Sequence, residues 1–423
     1  MGKYFLSRIT NVHMVFVFIV SLLALLSCTT VQAKKLSEVK IGNILPLTGP
    51  SAQAGIQSQK VCELATNDIN SAGGIKSLGG AKLVNVWTNS RGESSFGVTE
   101  AEQLIKTDKV SIISGAWNSA VTYPTTMTAE HSGIPYVVPV SVRDTITERG
   151  LKYTFRIAAK DSWRNRDQFK FLNEMSKAAG TRIETCAFVY ENGGWGTAMK
   201  DQWTKLAGQY GYKVVMAEPY ASTTSDFTVT VVKIKNARPD VILLASFTSD
   251  AILLVNAMAQ MKVGAKAIIA TGGGHSSQGF IKGAGKNCEY IFDVSEWEPD
   301  MNRPHIAPLN ADIKKRYGFD LTAETVDAFA SVYVIADALE RAASSDPKDI
   351  RDALADTDLC KDKGKLGIDI LAYNCVEFDK TGQNKNAGFV MVQFRNIKGT
   401  MERVTVWPAD AARKGFKPVF PMP

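Results

Sequence analysis

From Val39 onward, short apolar runs of strand length alternate with longer stretches in which apolar residues recur at helical spacing. The pattern predicts a strand from Val39 to Ile44, a helix from about Gly55 to Ser71, a strand from Ala81 to Trp87, a helix from Gly97 to Thr107 and a strand from Val110 to Ser114. A helix over Thr122 to His131 and a strand over Ile134 to Val138 follow. After a pause near Tyr153 to Lys160 the alternation restarts with helices at Arg164 to Ala179, Thr197 to Tyr210, Phe227 to Ala237 and Ala251 to Met261. Between and after these lie strands at Glu184 to Tyr190, Tyr212 to Tyr220, Val241 to Ala245 and Ala267 to Ala270. Two late helices, Thr322 to Ala343 and Pro347 to Ala355, precede strands near Val376 to Phe378 and Gly388 to Arg395. Such βα alternation calls for parallel sheets covered on both faces. The layout occurs twice although no sequence repeat accompanies it, so the expected fold is α/β with two Rossmann-like lobes. Strands that come after two complete units make the chain cross between lobes more than once, which forms a hinge rather than a loose linker. Ligands of open α/β sheets sit beyond the carboxyl ends of the strands, and two lobes facing each other that way form a cleft.

The first 35 residues break this pattern. Lys3 and Arg8 precede an apolar run from Met14 to Leu26, then small residues and Cys28, which reads as an export leader too short for a span of about 20 apolar residues. Two exits stay open: cleavage after Ser27 with lipidation of Cys28, or a small-x-small site at Val31-Gln32-Ala33 that makes 1–33 the signal peptide. The expected location is the periplasm, with a membrane contact only through that lipid anchor. The roughly 390 residues that remain exceed what one core usually serves, which agrees with two lobes. Of the net charge of +7, Lys3 and Arg8 contribute two, and the remainder is too mild for a nucleic-acid partner, with no basic block interleaved by aromatics.

Cys62, Cys186, Cys288, Cys360 and Cys375 show no C-x-x-C pair and no metal-ligand spacing, so no metal site is expected. In an oxidising compartment Cys360 and Cys375, which close the shortest loop, are the candidate disulfide, worth roughly 3 kcal/mol on the chain-entropy account. Cys62 and Cys186 read as small core residues, and the odd count leaves at least one free thiol. Gly74 to Lys82 lacks the ending of a phosphate loop, and Gly272-Gly273-Gly274-His275 has no lysine after it; both read as tight turns. No G-x-S-x-G or H-E-x-x-H occurs, so no catalytic residue or cofactor is assigned and a secreted hydrolase is disfavoured. His131 and His305 are expected at the surface, whereas His275, after a glycine turn at a strand end, is a candidate ligand contact. Gly115 to Thr122 is more informative, because an apolar strand ends in a glycine turn and hands over to a helix beginning near Ser119. Unpaired N–H groups at a helix start attract a carboxylate, although Ser119 capping its own helix accounts for the same spacing.

Around these residues the chain resembles the extracytoplasmic solute-binding proteins of branched-chain amino-acid ABC transporters, the leucine/isoleucine/valine-binding type. Ile41-Gly42 through Pro46-Leu47-Thr48-Gly49-Pro50, Asp68 through Ile75, Gly115 through Pro124 to Pro139, and Trp195-Gly196 carry the resemblance from Lys40 to the C-terminal region. It implies the type I periplasmic binding protein fold with three hinge crossings, lobe one at 37–158 plus 295–380 and lobe two at 159–294 plus 381–410. It also implies that Ser119 holds a ligand carboxylate, that Val140 offers backbone, that Val142 offers only its N–H with Ser141 as a substitute oxygen, and that Trp195 closes from the second lobe. Phe247, with Thr248 beside it, falls where another aromatic of that lobe is expected.

Two departures from the resemblance bear on the ligand. The acidic residue that meets a ligand ammonium falls near Gly273, and a buried ammonium without a counter-charge is costly. Ala54 stands where the amino-acid binders carry a bulky aromatic, which enlarges the pocket. With Trp117 and Trp195, these changes favour a larger or flatter carboxylate or amide, while Asp250 or Glu191 could restore an amino-acid site from another direction. The expected activity is capture of a small organic molecule and delivery to an inner-membrane ABC permease by a monomer; an exported sensor signalling to a membrane receptor or kinase uses the same cleft.

Overall fold

In the computed structural model, which describes residues 36–49, 51–360, 367–373 and 375–423, the apolar runs pair into two separate sheets. The leader, with Cys28 and both cleavage points, lies outside the described residues. The first sheet contains β1 (Glu38–Leu45), β2 (Lys82–Asn89), β3 (Ile112–Gly115), β4 (Tyr136–Val138) and β5 (Thr154–Arg156) in the order β2-β1-β3-β4-β5, with every pair parallel. Parallel neighbours need crossovers, supplied by α1 (Ala52–Ser71), α2 (Ser94–Lys106) and α3 (Ser119–His131).

The second sheet begins with β6 (Thr185–Glu191), β7 (Lys213–Tyr220), β8 (Val241–Ala245), β9 (Ala267–Ala270) and β10 (Phe292–Ser295), interleaved with α4 (Ser162–Ala179), α5 (Gly194–Tyr210), α6 (Thr228–Ala237), α7 (Thr248–Gln260) and α8 (Gln278–Ala284). Helices α9 (Ile306–Tyr317), α10 (Ala323–Ala342) and α11 (Pro347–Ala355) come next, and α10 packs against α1 of the first half. The chain then returns to the second sheet as β11 (Val390–Ile397) and β12 (Thr400–Trp407), giving the order β12-β11-β10-β9-β8-β6-β7. β11 and β12 pair antiparallel around Lys398-Gly399, both at positive φ, as a two-residue hairpin turn requires.

Burial explains the runs. β8 lies between β6 and β9, and all five of its residues are buried, so it is apolar throughout rather than alternating. Successive side chains still part to opposite faces: Phe188 and Leu243 join Phe169 and Trp203 on one, while Val189 and Leu244 join Phe227 and Leu254 on the other. Each such side chain is worth about 1.5–3 kcal/mol when fully buried.

The expected strand near Val376 to Phe378 does not form. Only isolated bridges, Asp358 with Glu377 and Phe378 with Asn384, occur there, because the chain doubles back at once through Asp379 N to Gln383 O and Gly382 N to Asp379 O. The pause at Tyr153 to Lys160 hides β5, three residues too short to show a period. β10, β12, α8 and α9 were likewise not marked by the pattern.

The chain passes between the sheets at Ile157 to Asp161, at 296–305 and at 379–389. Arg156, fully buried just before the first passage, ties it to the third. Its guanidinium donates to Gln383 Oε1 at 2.6 Å, Arg143 O at 2.6 Å and Thr147 Oγ1 at 2.8 Å. Burial pulls its pKa down to about 10. Gln383 in turn donates to Ala158 O at 2.8 Å, and Tyr373 Oη donates to Ile157 O at 2.8 Å.

Candidate functional site

The candidate residues collect at the carboxyl ends of strands in both sheets. At the end of β3, Gly115 has φ +147°, and a Cβ there would sit 2.4 Å from Ile44 O, so only glycine lets β1 and β3 approach this closely. Trp117 follows at φ 68°, and α3 begins at Ser119. Asn118, not Ser119, occupies the capping position, and no side chain caps that helix end, which leaves its first N–H groups without that partner. Ser119 Oγ accepts only a long 3.4 Å bond from Arg143 N.

Val140 and Val142 are half-buried in the segment after β4, and Val142 O accepts from Asp161 N at 2.9 Å. Ser141 does not supply a free oxygen: its hydroxyl is buried, lies 2.6 Å from Thr122 Oγ1 and donates to Trp117 O at 2.9 Å. That engagement fixes Trp117 instead.

Trp117 and Ala54 line a cavity of about 340 Å³, together with Gln53, Gln57, Thr322 and Glu324. Its volume falls within the range of small-molecule sites. The walls come from α1, the β3–α3 turn and the start of α10, and Ser119 and Trp195 are not among them. Thr322 and Glu324 were not read as site residues from sequence. A larger recess of about 580 Å³ opens beside Tyr373, Cys375, Phe389 and Trp407, away from every candidate residue except Cys375.

In the second half, Trp195 at the start of α5 and Phe247 after β8 form an aromatic pair with ring centroids 5.6 Å apart. Phe247 is 49% exposed, the most exposed phenylalanine side chain of the second half, although burial is the rule for its type. Glu191 holds the Trp195 turn by accepting from Gly193 N and Gly196 N, each at 2.6 Å. Asp250 accepts from Tyr220 Oη at 2.7 Å and from Phe247 N at 3.1 Å, and Thr248 Oγ1 lies 3.2 Å from Ser277 Oγ. Both carboxylates are buried; Glu191 is engaged by its own turn, whereas Asp250 accepts both of its bonds on Oδ2 and keeps Oδ1 without a hydrogen-bond partner. Gly273 explains the missing acid at its own position: a Cβ there would meet Trp195 Cη2 at 2.7 Å and Ser246 O at 3.0 Å, so the indole occupies the space.

His275 is not in the cleft. The ring is fully buried, lies 5.0 Å from Phe280 between centroids, and has Nδ1 3.3 Å from Gly272 O; burial lowers its pKa and keeps it neutral. His131 is exposed, and His305 is half-exposed beside Asp369. The structure joins Cys360 to Cys375, with Cα atoms 4.4 Å apart, and leaves Cys62, Cys186 and Cys288 as buried thiols pushed up to about 12.

Charge concentrates where the halves meet. Arg164 pairs with Glu296 at 2.7 Å, and burial lifts the Glu296 carboxyl, with negative Glu324 adding to the rise. Asp327 is raised well above the ordinary carboxylate range by burial and by Glu296 and Glu324. Tyr373 Oη lies 3.5 Å from its Oδ1.

A family model described as periplasmic binding protein matches residues 38–382. A Leu/Ile/Val-binding protein homolog from Brucella melitensis is 26% identical over 388 residues, covering 89% of this chain and 93% of its own. An ABC transporter substrate-binding protein from Sphaerobacter thermophilus superposes with a TM-score of 0.69 at 17% identity, covering 90% of this chain and 100% of its own. A solute binding protein of an ABC transporter from Rhodopseudomonas palustris, solved with 3,4-dihydroxy benzoic acid, gives 0.62 at 16% identity, over 90% and 99%. Among the described residues no helix is long and apolar enough to cross a membrane.

Proposed function

The chain belongs to the periplasmic binding protein family, whose members bind substrates for ABC transporters and catalyse no reaction, and on that premise we propose that it captures a small organic carboxylate or amide between its two halves and delivers it to an ABC permease. The observation that carries this reading is the uncapped start of α3 at Ser119 on one side and, on the other, the pair of half-buried Trp195 with exposed Phe247, both at carboxyl strand ends. The ligand docks first on the N–H groups near Ser119 and on the Val140 to Val142 backbone. The second half then swings in, and Trp195 covers it. Closure excludes water, which strengthens the polar contacts while the aromatics bury apolar area at about 25 cal/mol per Å².

With Gly273 filled by the indole and Glu191 committed to Gly193 and Gly196, the second half offers an α-ammonium only the buried Asp250, whose Oδ2 already accepts from Tyr220 and Phe247. That supports a carboxylate or amide over a branched-chain amino acid. The moving bodies are 37–158 with 295–380 and 159–294 with 381–410. The protein works as a monomer in the periplasm after loss of its leader, tethered there if Cys28 is lipidated. A thermal-shift screen of amino acids, aromatic acids, dicarboxylates, amides and ureas tests the reading. A ligand at about 100 times its Kd stabilises by roughly 2.7 kcal/mol. Stabilisation by a compound without a compaction in solution scattering would sink the two-body capture mechanism.

A further inference from the structure

The cavity at Trp117 carries a charge that the capture mechanism does not use. Glu324, in the first turn of α10, stands on its wall with Trp117, and no hydrogen bond or ion pair engages its carboxylate among the described residues. The described surroundings offer it only the positive end of the α10 dipole. Arg164, which like Glu324 acts on Glu296, is already paired with Glu296 at 2.7 Å and with Asp161 at 3.6 Å. Glu296 and Asp327 face the same region and feel the Glu324 charge. A carboxylate left without a partner beside an aromatic face is an arrangement suited to a positively charged nitrogen, which gains from both the charge and the ring quadrupole. Ala54, with only a methyl group, leaves room for such a group between Gln53 and Gln57.

We infer that Glu324 is the specificity-determining residue of the cleft, and that it selects a ligand whose end remote from the carboxylate carries a cationic nitrogen, seated against Trp117. This rests on the capture reading and narrows it: the counter-charge that is missing at Gly273 on the second half is supplied on the first half, at a different end of the ligand. The selected class is thus an ω-amino, ω-guanidino or ω-quaternary-ammonium acid rather than an α-amino acid with an apolar side chain.

Matched probes test it by calorimetry on the full mature chain: γ-aminobutyrate, γ-guanidinobutyrate and γ-butyrobetaine against valerate and glutaramate, which keep the carboxylate but carry no charge at the remote end. At least one probe with a cationic remote end should bind about tenfold or more tighter than valerate and glutaramate, as for a charge-assisted contact. Glu324→Gln should erase that ratio, with an unaltered melting curve in the absence of probe. Equal affinity for probes with and without the remote cation, lost in Trp195→Ala, leaves the capture reading standing and overturns this one. A ratio that survives in Glu324→Gln overturns the role of this residue, and binding of no probe by the wild-type chain overturns the class.

Discussion

Ser119 shows how little of a binding residue lies in its own identity. Its hydroxyl is nearly unengaged because Asn118 takes the capping position and Ser141 spends its oxygen on Trp117 and Thr122. Ser119→Ala should therefore weaken a bound carboxylate by roughly 1.5–3 kcal/mol, read by titration calorimetry, while leaving the melting point nearly unchanged; unchanged affinity would move the anchor elsewhere. Asp327 gives a pH signature. Burial, and then Glu296 and Glu324, raise its folded pKa, so the folded state keeps a proton that the unfolded chain releases near pH 4. Its contribution to stability is therefore present at low pH and is lost as pH rises through the folded value. Asp327→Asn holds the neutral form, so its denaturation midpoint should fall less than that of the wild type between acid and neutral pH; parallel profiles would refute this. Trp117 and Ser119 are legible at a strand end, because a glycine turn after an apolar run is a local signal, whereas Trp195 and Phe247 come from the resemblance alone. Glu324 was illegible, since it reaches the cavity only when α10 packs on α1, more than two hundred residues earlier in the chain.

Elements were read well where they are long and periodic, and late where they begin in polar residues. α3, α4, α5 and α7 each start a few residues before their apolar period does, at Ser119, Ser162, Gly194 and Thr248. Those starts carry the site, so the part of each helix that matters for binding is the part that periodicity does not mark. Short strands failed for a related reason: β5 has three residues, and its pairing with β4 and Gln383 is set by distant chain. Gly382 makes that pairing possible. It has φ +75°, and a Cβ would lie 1.9 Å from Thr154 O, while its own carbonyl accepts from Arg156 N at 2.7 Å. Gly382→Ala should cost about 2 kcal/mol or more in urea denaturation, because both the backbone conformation and the contact with β5 are lost. A variant as stable as the parent would show that this passage is not a fixed part of the fold.

At the scale of the whole molecule, the two sheets are separate and the cavity at Trp117 is walled from one half alone. Trp195→Ala should then weaken ligand binding and reduce the ligand-induced fall in radius of gyration; full compaction in the variant would remove the indole from the closing step. The direction of the proposed closure follows from Arg156, which grips the turn at Arg143 and Thr147 and bonds Gln383 of the returning passage, itself joined to Ala158 of the first. Neighbouring chain strands pinned to one another behave like a door hung on more than one pin: it swings about a line and does not swivel. Spectroscopic labels placed along that line should keep their separation when ligand is added, while labels across the mouth draw together, and a change in both distances would mean that the joint has more freedom than its pins allow.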